Sequence, residues 1–222
     1  MAFTVHPLGY APDTVDYQYA WDLQRTLHAE VRQGTRENTL LLLEHAPVFT
    51  AGRRTEDHER PTDGTPVVDV DRGGKITWHG PGQLVAYPIY KLQDPGAVKA
   101  YVHQIEQAVI DLCGENGITA TRVEGRAGVW LTDPPAAGVP TVPGLPTNDR
   151  KIAAIGIRIH EGVAMHGVAL NCSNDDSGFS AIVPCGIVDA SVTTLSAETG
   201  RTVDPVDVAD RFAELLITHI AA

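Results

Sequence analysis

Apolar residues recur at helical spacing in three stretches of the chain. Residues 16–33 carry Ala20, Leu23, Leu27 and Val31 near one face, with Gly34 as a stop. Residues 95–113 place Pro95 in a first turn, and Val98, Tyr101, Val102, Ile105, Val109, Leu112 and Cys113 form one apolar stripe. A last helix is predicted from Asp204-Pro205, a cap and first-turn pair, with Val208, Phe212, Leu215 and Leu216 facing inward. Between the helices lie β-rich runs: Thr39–Glu44, Val67–Val70, Gln83–Leu92, Gly128–Leu131, Lys151–His160, Val163–Asn171 and Ser180–Val183. Few helices around a central cluster of strands predict an α+β domain over residues 1–222, with a mixed or antiparallel sheet and flanking helices. Residues 133–149 hold prolines at 134, 135, 140, 143 and 146, and are expected to be an irregular loop inserted in that domain.

Two of the strands should pair as a hairpin. Glu161-Gly162 suits a two-residue turn, because Gly tolerates the positive φ such turns require. In that register His160 faces Val163, and Ala154-Ile155-Gly156 lies opposite Gly167-Val168-Ala169. Side-chain volume nearly vanishes along this patch. Small facing residues allow either close helix packing or a slot where a ligand approaches the backbone. Lys151 shares parity with Ala153, Ile155, Ile157 and Ile159, so in a regular strand its ammonium points toward the apolar face. A buried lysine is scarce because desolvating its charge is costly, and spacing alone favours a solvated place just before the strand.

Chemistry-bearing residues concentrate in two places. Asp71-Arg72-Gly73-Gly74-Lys75-Ile76-Thr77-Trp78-His79-Gly80-Pro81-Gly82-Gln83 packs polar groups and glycines between two strands. Backbone N–H groups of such a loop can cradle an anion or a carbonyl. It lacks the ending of a P-loop and the spacing of a dinucleotide fold. The second is Val183-Pro184-Cys185-Gly186-Ile187, where Pro fixes the backbone on one side of a thiol and Gly frees it on the other. Cys113 belongs to a helix stripe and reads as a packed thiol. Cys172 competes with Cys185, since continuing the hairpin register puts it opposite Lys151. The bend favours Cys185, because a nucleophile needs access. His79 and His166 each precede a Gly and are candidates for lining one site. The histidines show no metal-binding spacing.

Composition narrows the partners. A net charge of -11 makes nucleic acid and anionic membranes poor partners. No apolar run approaches a membrane span, and the first residues lack a basic patch followed by an apolar stretch. Three cysteines without paired spacing fit a reducing compartment, and a cytoplasmic protein is expected.

The motifs, taken in order, resemble the lipoyl(octanoyl) transferase family. Arg72-Gly73-Gly74-x-x-Thr77-x-His79-Gly80-Pro81-Gly82-Gln83 is similar to its signature, and the likeness covers most of the chain. Leu41-Leu42-Leu43-Glu44-His45-Ala46-Pro47-Val48-Phe49-Thr50-x-Gly52-Arg53 resembles the family's early segment. Lys151-Ile152-Ala153-Ala154-Ile155-Gly156, His166-Gly167-x-Ala169-Leu170-Asn171 and Pro184-Cys185-Gly186 follow in register. The Pro-rich 133–149 segment is longer than the family's usual connection.

The resemblance implies a catalytic domain of the biotin/lipoate protein ligase type and a Cys–Lys dyad. Cys185 is then the acyl-thioester nucleophile and Lys151 its base partner. The donor implied is octanoyl-acyl carrier protein. The acceptors are lysines of apo lipoyl domains, of the 2-oxo acid dehydrogenase and glycine cleavage type. Thioester exchange needs neither ATP nor a cofactor. The residues matching the family's substrate-binding stretches are Arg72, Gly73, Gly74, Lys75, Ile76, Thr77, Trp78 and His79, with Ala154, Ile155, Gly156, Gly167, Val168 and Ala169. Arg53, Arg54, Arg72, Lys75 and Arg150 are expected to form a basic rim for the acidic partners. The rival readings are an ATP-dependent lipoate–protein ligase, a cysteine hydrolase and a non-catalytic acyl-binding module.

Overall fold

Leu40-Leu41-Leu42-Leu43 shows how the sheet is built. Leu40 and Leu42 enter one core with Leu84 and Ala86, while Leu41 and Leu43 enter another with Val85 and Tyr87. A strand apolar at every position needs cover on both faces. Fully burying each leucine contributes about 1.5–3 kcal/mol. A computed structural model describes residues 2–62, 64–132, 149–182 and 191–221.

Along the chain the elements are β1 (Phe3–Gly9), α1 (Tyr17–Gln33), β2 (Asn38–Leu43), β3 (Val48–Ala51), a 3₁₀ turn (Asp57–Glu59), β4 (Val67–Asp69), β5 (Thr77–His79), β6 (Gln83–Lys91), α2 (Val98–Glu115), β7 (Thr121–Val123), β8 (Arg126–Leu131), β9 (Arg150–His160), β10 (Val163–Asn171), α3 (Ser177–Ser180), β11 (Ser191–Val192), α4 (Leu195–Thr199) and α5 (Pro205–Ile220). The main sheet runs β1-β2-β6-β10-β9-β8-β7, with β11 joined to β9; β4-β3-β5 form a small second sheet. Most pairs of the main sheet are antiparallel, but β1–β2 and β11–β9 are parallel. Helices α2 and α5 cover one face and α1 the other. The expected α+β class with a mixed sheet is therefore the observed one.

Local chemistry sets the helix ends. The Asp16 carboxylate accepts the Tyr19 N–H at 2.9 Å to start α1, and Gly34 at φ 75° ends it. Asp204 and Asp207 form a reciprocal capping box around Pro205. Helix α2 starts at Val98 rather than Pro95, because the Asp94 carboxylate captures the Gly96 N–H at 2.8 Å and holds a turn there. The β9–β10 hairpin has the predicted register, with Glu161 (φ 48°) and Gly162 (φ 80°) in its turn. Two positive φ values match the right-handed twist of the strands.

Two sequence expectations need correction. Ser180 ends the short helix α3 and Ala181 follows in helical conformation, so the strand predicted at Ser180–Val183 does not form over its described part. The β9–β10 ladder stops at Ala153↔Leu170, so Cys172 does not pair with Lys151. The Cys172 N–H instead donates to the Gly82 carbonyl at 3.1 Å, and Lys151 pairs with Trp130 and Val192. Cys185 and positions 133–148 of the Pro-rich stretch lie outside the described residues.

Candidate active site

A cavity of about 230 Å³ lies on the α1 side of the sheet. Its floor is the small patch read from the hairpin: Ala154, Ile155 and Gly156 on β9, and Gly167, Val168 and Ala169 on β10. Val85 and Tyr87 extend it onto β6, Tyr17 closes it from α1, and the turn Gly125-Arg126-Ala127 borders it near Lys151. Arg72, Gly74, Lys75, Thr77 and His79 supply the cover.

Lys151 reaches this cavity by a break in the strand. Val129 pairs with Ala153 but Trp130 pairs with Lys151, so Ile152 is one residue too many. Such a bulge reverses the side-chain alternation. Ile152 and Ala153 both enter the core under α2 and α5, while Lys151 turns to the opposite, cavity face. Both sequence readings of Lys151 fail: parity sent it toward the apolar face and spacing favoured a solvated place before the strand, whereas it lies inside β9, buried and turned to the cavity. Lys151 is 7% exposed, and its Nζ lies 4.9 Å from the centre of the Trp130 ring. Gly128 makes the passage: a Cβ there would sit 2.7 Å from Lys151 Cε and 2.4 Å from the Ala153 carbonyl oxygen.

A second break delivers His166. Regular alternation would send it with Ala164 and Val168 into the α2–α5 core. Its φ of 56° rotates the imidazole to the cavity side, where it meets Trp21 and Tyr87. The register of β10 with β6 sets Pro88 opposite His166, and Pro has no N–H for the ladder. The His166 N–H donates instead to Gln24 Oε1 at 2.8 Å. Its Nε2–H donates to Asp71 Oδ1 at 2.8 Å, and Asp71 also pairs with Arg158. That bond to His166 holds the Asp71 carboxyl below its ordinary range. Burial lowers the His166 pKa, with Asp71 opposing.

The polar loop is a clamp. Arg72 is 7% exposed. It donates to the Thr50 carbonyl (2.8 Å) and hydroxyl (2.9 Å), and to the Gly73 (3.0 Å) and Lys75 (2.9 Å) carbonyls. The Gly73 N–H donates to the Ile157 carbonyl at 2.9 Å, which ties the cover to β9. Lys75 pairs with Glu59 at 2.6 Å and Glu56 at 3.1 Å, and Arg150 with Glu198 at 2.9 Å. Of the expected basic rim, Arg53 and Arg54 are exposed, whereas Arg72 is folded into the loop it organises. Gly73, Ile76 and Trp78 do not line the cavity. Ile76 is fully buried, and Trp78 packs edge-on against Phe179 in a separate small core.

Glu44 and His45 brace the same end of the sheet. The Glu44 carboxylate accepts the Gly82 N–H at 2.6 Å and the Ala11 N–H at 3.1 Å. His45 donates from Nδ1 to the Val15 carbonyl at 2.9 Å and meets the Tyr87 hydroxyl through Nε2 at 2.8 Å. Burial lowers the His45 pKa to about 4 and that of His79 to about 3, so both rings are neutral near pH 7. Burial raises the Tyr17 phenol to about 12.

The wall therefore carries Arg54, Arg72, Lys75, Arg126 and Lys151, with no carboxylate among its described lining residues. His79 and His166 share this one cavity, as their sequence contexts suggested. Sequence reasoning missed Tyr17, Val85, Tyr87 and Arg126. Tyr17 and Tyr87 are legible only as half-apolar residues of a helix and a strand, and Arg126 only as a turn-flanking cation. The remaining thiols are packed away. Burial pushes Cys113 up to about 12 and Cys172 further, and neither lines the cavity. Among the described residues no group of His, Cys, Asp or Glu could hold a metal, and no helix is long and apolar enough to cross a membrane.

This sheet with its helices on both faces is the fold of lipoate and biotin protein ligases. A Plasmodium falciparum protein, LipL1, solved with lipoate, superposes with a TM-score of 0.68 at 12% identity over 98% of this chain and 62% of that one. The biotin protein ligase of Leishmania major, solved with biotinyl-5-AMP, superposes with a TM-score of 0.53 at 11% identity over 98% of this chain and 75% of that one.

Within that fold, residues 16–217 match the lipoyl protein ligase A/B catalytic domain, and the chain belongs to this family. A Leifsonia xyli protein named octanoyltransferase is 61% identical over 90% of this chain and 85% of its own length. A Paenarthrobacter aurescens protein of the same name is 54% identical over 99% of this chain and 94% of its own.

Proposed function

We propose that the protein is an octanoyltransferase of lipoate biosynthesis, moving an octanoyl group from octanoyl-acyl carrier protein to a lysine ε-amine of apo lipoyl domains. The observation that carries the reading is Lys151, a buried lysine in the wall of a cavity floored by small residues. An amine that faces such a cavity can accept and return a proton during acyl transfer. Cys185 is the acyl carrier. Its thiolate bonds the acyl carbon, the carbon–sulfur bond of the donor breaks, and the donor thiol leaves with a proton. The acceptor amine then bonds the same carbon and the Cys185–acyl bond breaks. The proton shed by the amine passes through Lys151 to the departing sulfur. The small patch formed by Ala154, Gly156, Gly167 and Ala169 supports the reading, because it leaves room for an apolar chain along the sheet. The acceptors are lipoyl domains of the 2-oxo acid dehydrogenase and glycine cleavage type, and the reaction belongs in the cytoplasm without ATP.

The test is intact-mass spectrometry after mixing with octanoyl-acyl carrier protein, then adding apo lipoyl domain without ATP. An octanoyl adduct on Cys185 that persists in Cys172→Ser and disappears as the lipoyl domain gains the group is the expected result. Transfer that requires ATP, or an adduct mapping elsewhere, would overturn it.

A further inference from the structure

Cavity polar groups fall at two ends of the sheet. His166 pairs with Ile157 on β9, six residues from Lys151, or roughly 15–20 Å at strand rise. Gln83 faces Asn171, one step past the Ala153↔Leu170 pair, and so shares Lys151's end. His79, bonded to Gln83 at 2.7 Å, lies between the two ends, with its ring 5.7 Å from that of His45 and the His166 charge acting on it.

One backbone carbonyl orders everything from His79 to Lys151. The Thr193 carbonyl can only accept, and it takes the Asn171 Nδ2–H at 3.0 Å. Asn171 must then present Oδ1 to Gln83, which donates from Nε2 at 2.9 Å. Gln83 is left with Oε1 toward His79, so His79 Nδ1 must carry the proton. The Thr193 N–H donates to the Lys151 carbonyl at 3.0 Å, which ties the chain of bonds to the strand of the buried lysine. Gln83 is 1% and Asn171 4% exposed, so water does not compete. The other ring nitrogen, Nε2, has no partner among the described residues, and the ring lines the cavity. It is a lone pair held ready for a donor.

We infer that Gln83 and Asn171 are positioning residues that fix His79 as the Nδ1–H tautomer, so that Nε2 accepts an N–H of the attacking amine. The inference rests on the transferase reading above. An acyl thioester group has no N–H or O–H to offer at this site, and the amine does. Held by one N–H, the amine aims its lone pair at the acyl carbon. The nitrogen–carbon bond forms, the carbon–sulfur electron pair goes to sulfur, and the shed proton takes the Lys151 route. His79 gains no proton. With a pKa of about 3 it is an acceptor rather than a base.

Two readouts test this. Long-range ¹⁵N–¹H correlation on the labelled full chain reports the His79 tautomer without any substrate. The wild type is expected to carry its proton on Nδ1. Gln83→Leu is expected to lose that preference and to slow opening of the acyl-enzyme by apo lipoyl domain roughly tenfold to a hundredfold, with adduct formation slowed far less. Asn171→Asp loses the N–H to the Thr193 carbonyl but still accepts from Gln83, so it is expected to keep the tautomer. A wild-type proton on Nε2 would overturn the inference, as would Gln83→Leu opening at the wild-type rate. So would Asn171→Asp with its His79 proton on Nε2. If Gln83→Leu does not fold, the wild-type tautomer and Asn171→Asp still decide. A wild type that forms no octanoyl adduct would sink the transferase reading, not the tautomer assignment.

Discussion

The two faces of the main sheet obey different rules. Under α2 and α5, strands β2 and β6 and the end of β10 alternate: Leu40, Leu42, Leu84, Ala86, Val168 and Leu170 arrive in turn and meet Ile105, Leu112 and Phe212. On the α1 side the strands break step twice, at the Ile152 bulge and at the positive φ of His166. Each break moves a polar side chain out of the apolar core and into the cavity. The regular face builds the apolar core, and the irregular face carries the polar groups of the cavity. Strain and irregularity gather where function needs them because regular packing elsewhere over-determines the backbone.

The sharpest way to break this comparison is Lys151→Met, which keeps the stem and removes the ammonium. Octanoyl transfer should fall by about a hundredfold to ten-thousandfold, while circular dichroism shows the variant still folded. Wild-type transfer rates in the variant would remove Lys151 from the mechanism. On the other face, Phe212→Ala should cost about 3–5 kcal/mol in chemical denaturation. At a temperature where that variant remains folded, its transfer rate should match the wild type. A selective loss of rate would mean that the faces are not separable.

The smallest effect is a slope. His45 and His79 titrate near 4 and 3 when folded and near 6.5 when unfolded. Between these values the unfolded chain takes up protons that the folded chain refuses. Stability should therefore fall as pH drops from about 6.5 toward 4, by up to about 1.4 kcal/mol per pH unit for each ring. The urea midpoint as a function of pH measures it, and His45→Gln should flatten the slope. An unchanged slope in that variant would show that His45 is not among the groups responsible.

Much of this molecule is local, and the local part was legible. Asp16, Gly34 and the Asp204-Pro205 pair mark helix ends whose partners lie within a turn. Glu161-Gly162 sets a hairpin register that carries Ala154 opposite Ala169 and Gly156 opposite Gly167. Family motifs pointed to Lys151 without saying how it would be aimed. By contrast, β1, β3, β5 and β7 escaped notice because they are short or interrupted, and they exist only through their neighbours.

The three long helices, the hairpin and the small-residue floor were readable along the chain, because those depend on spacing and turn chemistry. Tertiary structure decided which way Lys151 and His166 face, that Arg72 is a clamp rather than a rim, and that Gln83 and Asn171 tie His79 to the lysine's strand. Those outcomes turn on a bulge against β8, a proline across the ladder and amides joined over long sequence separations. No period along one strand can encode a partner that only folding brings alongside.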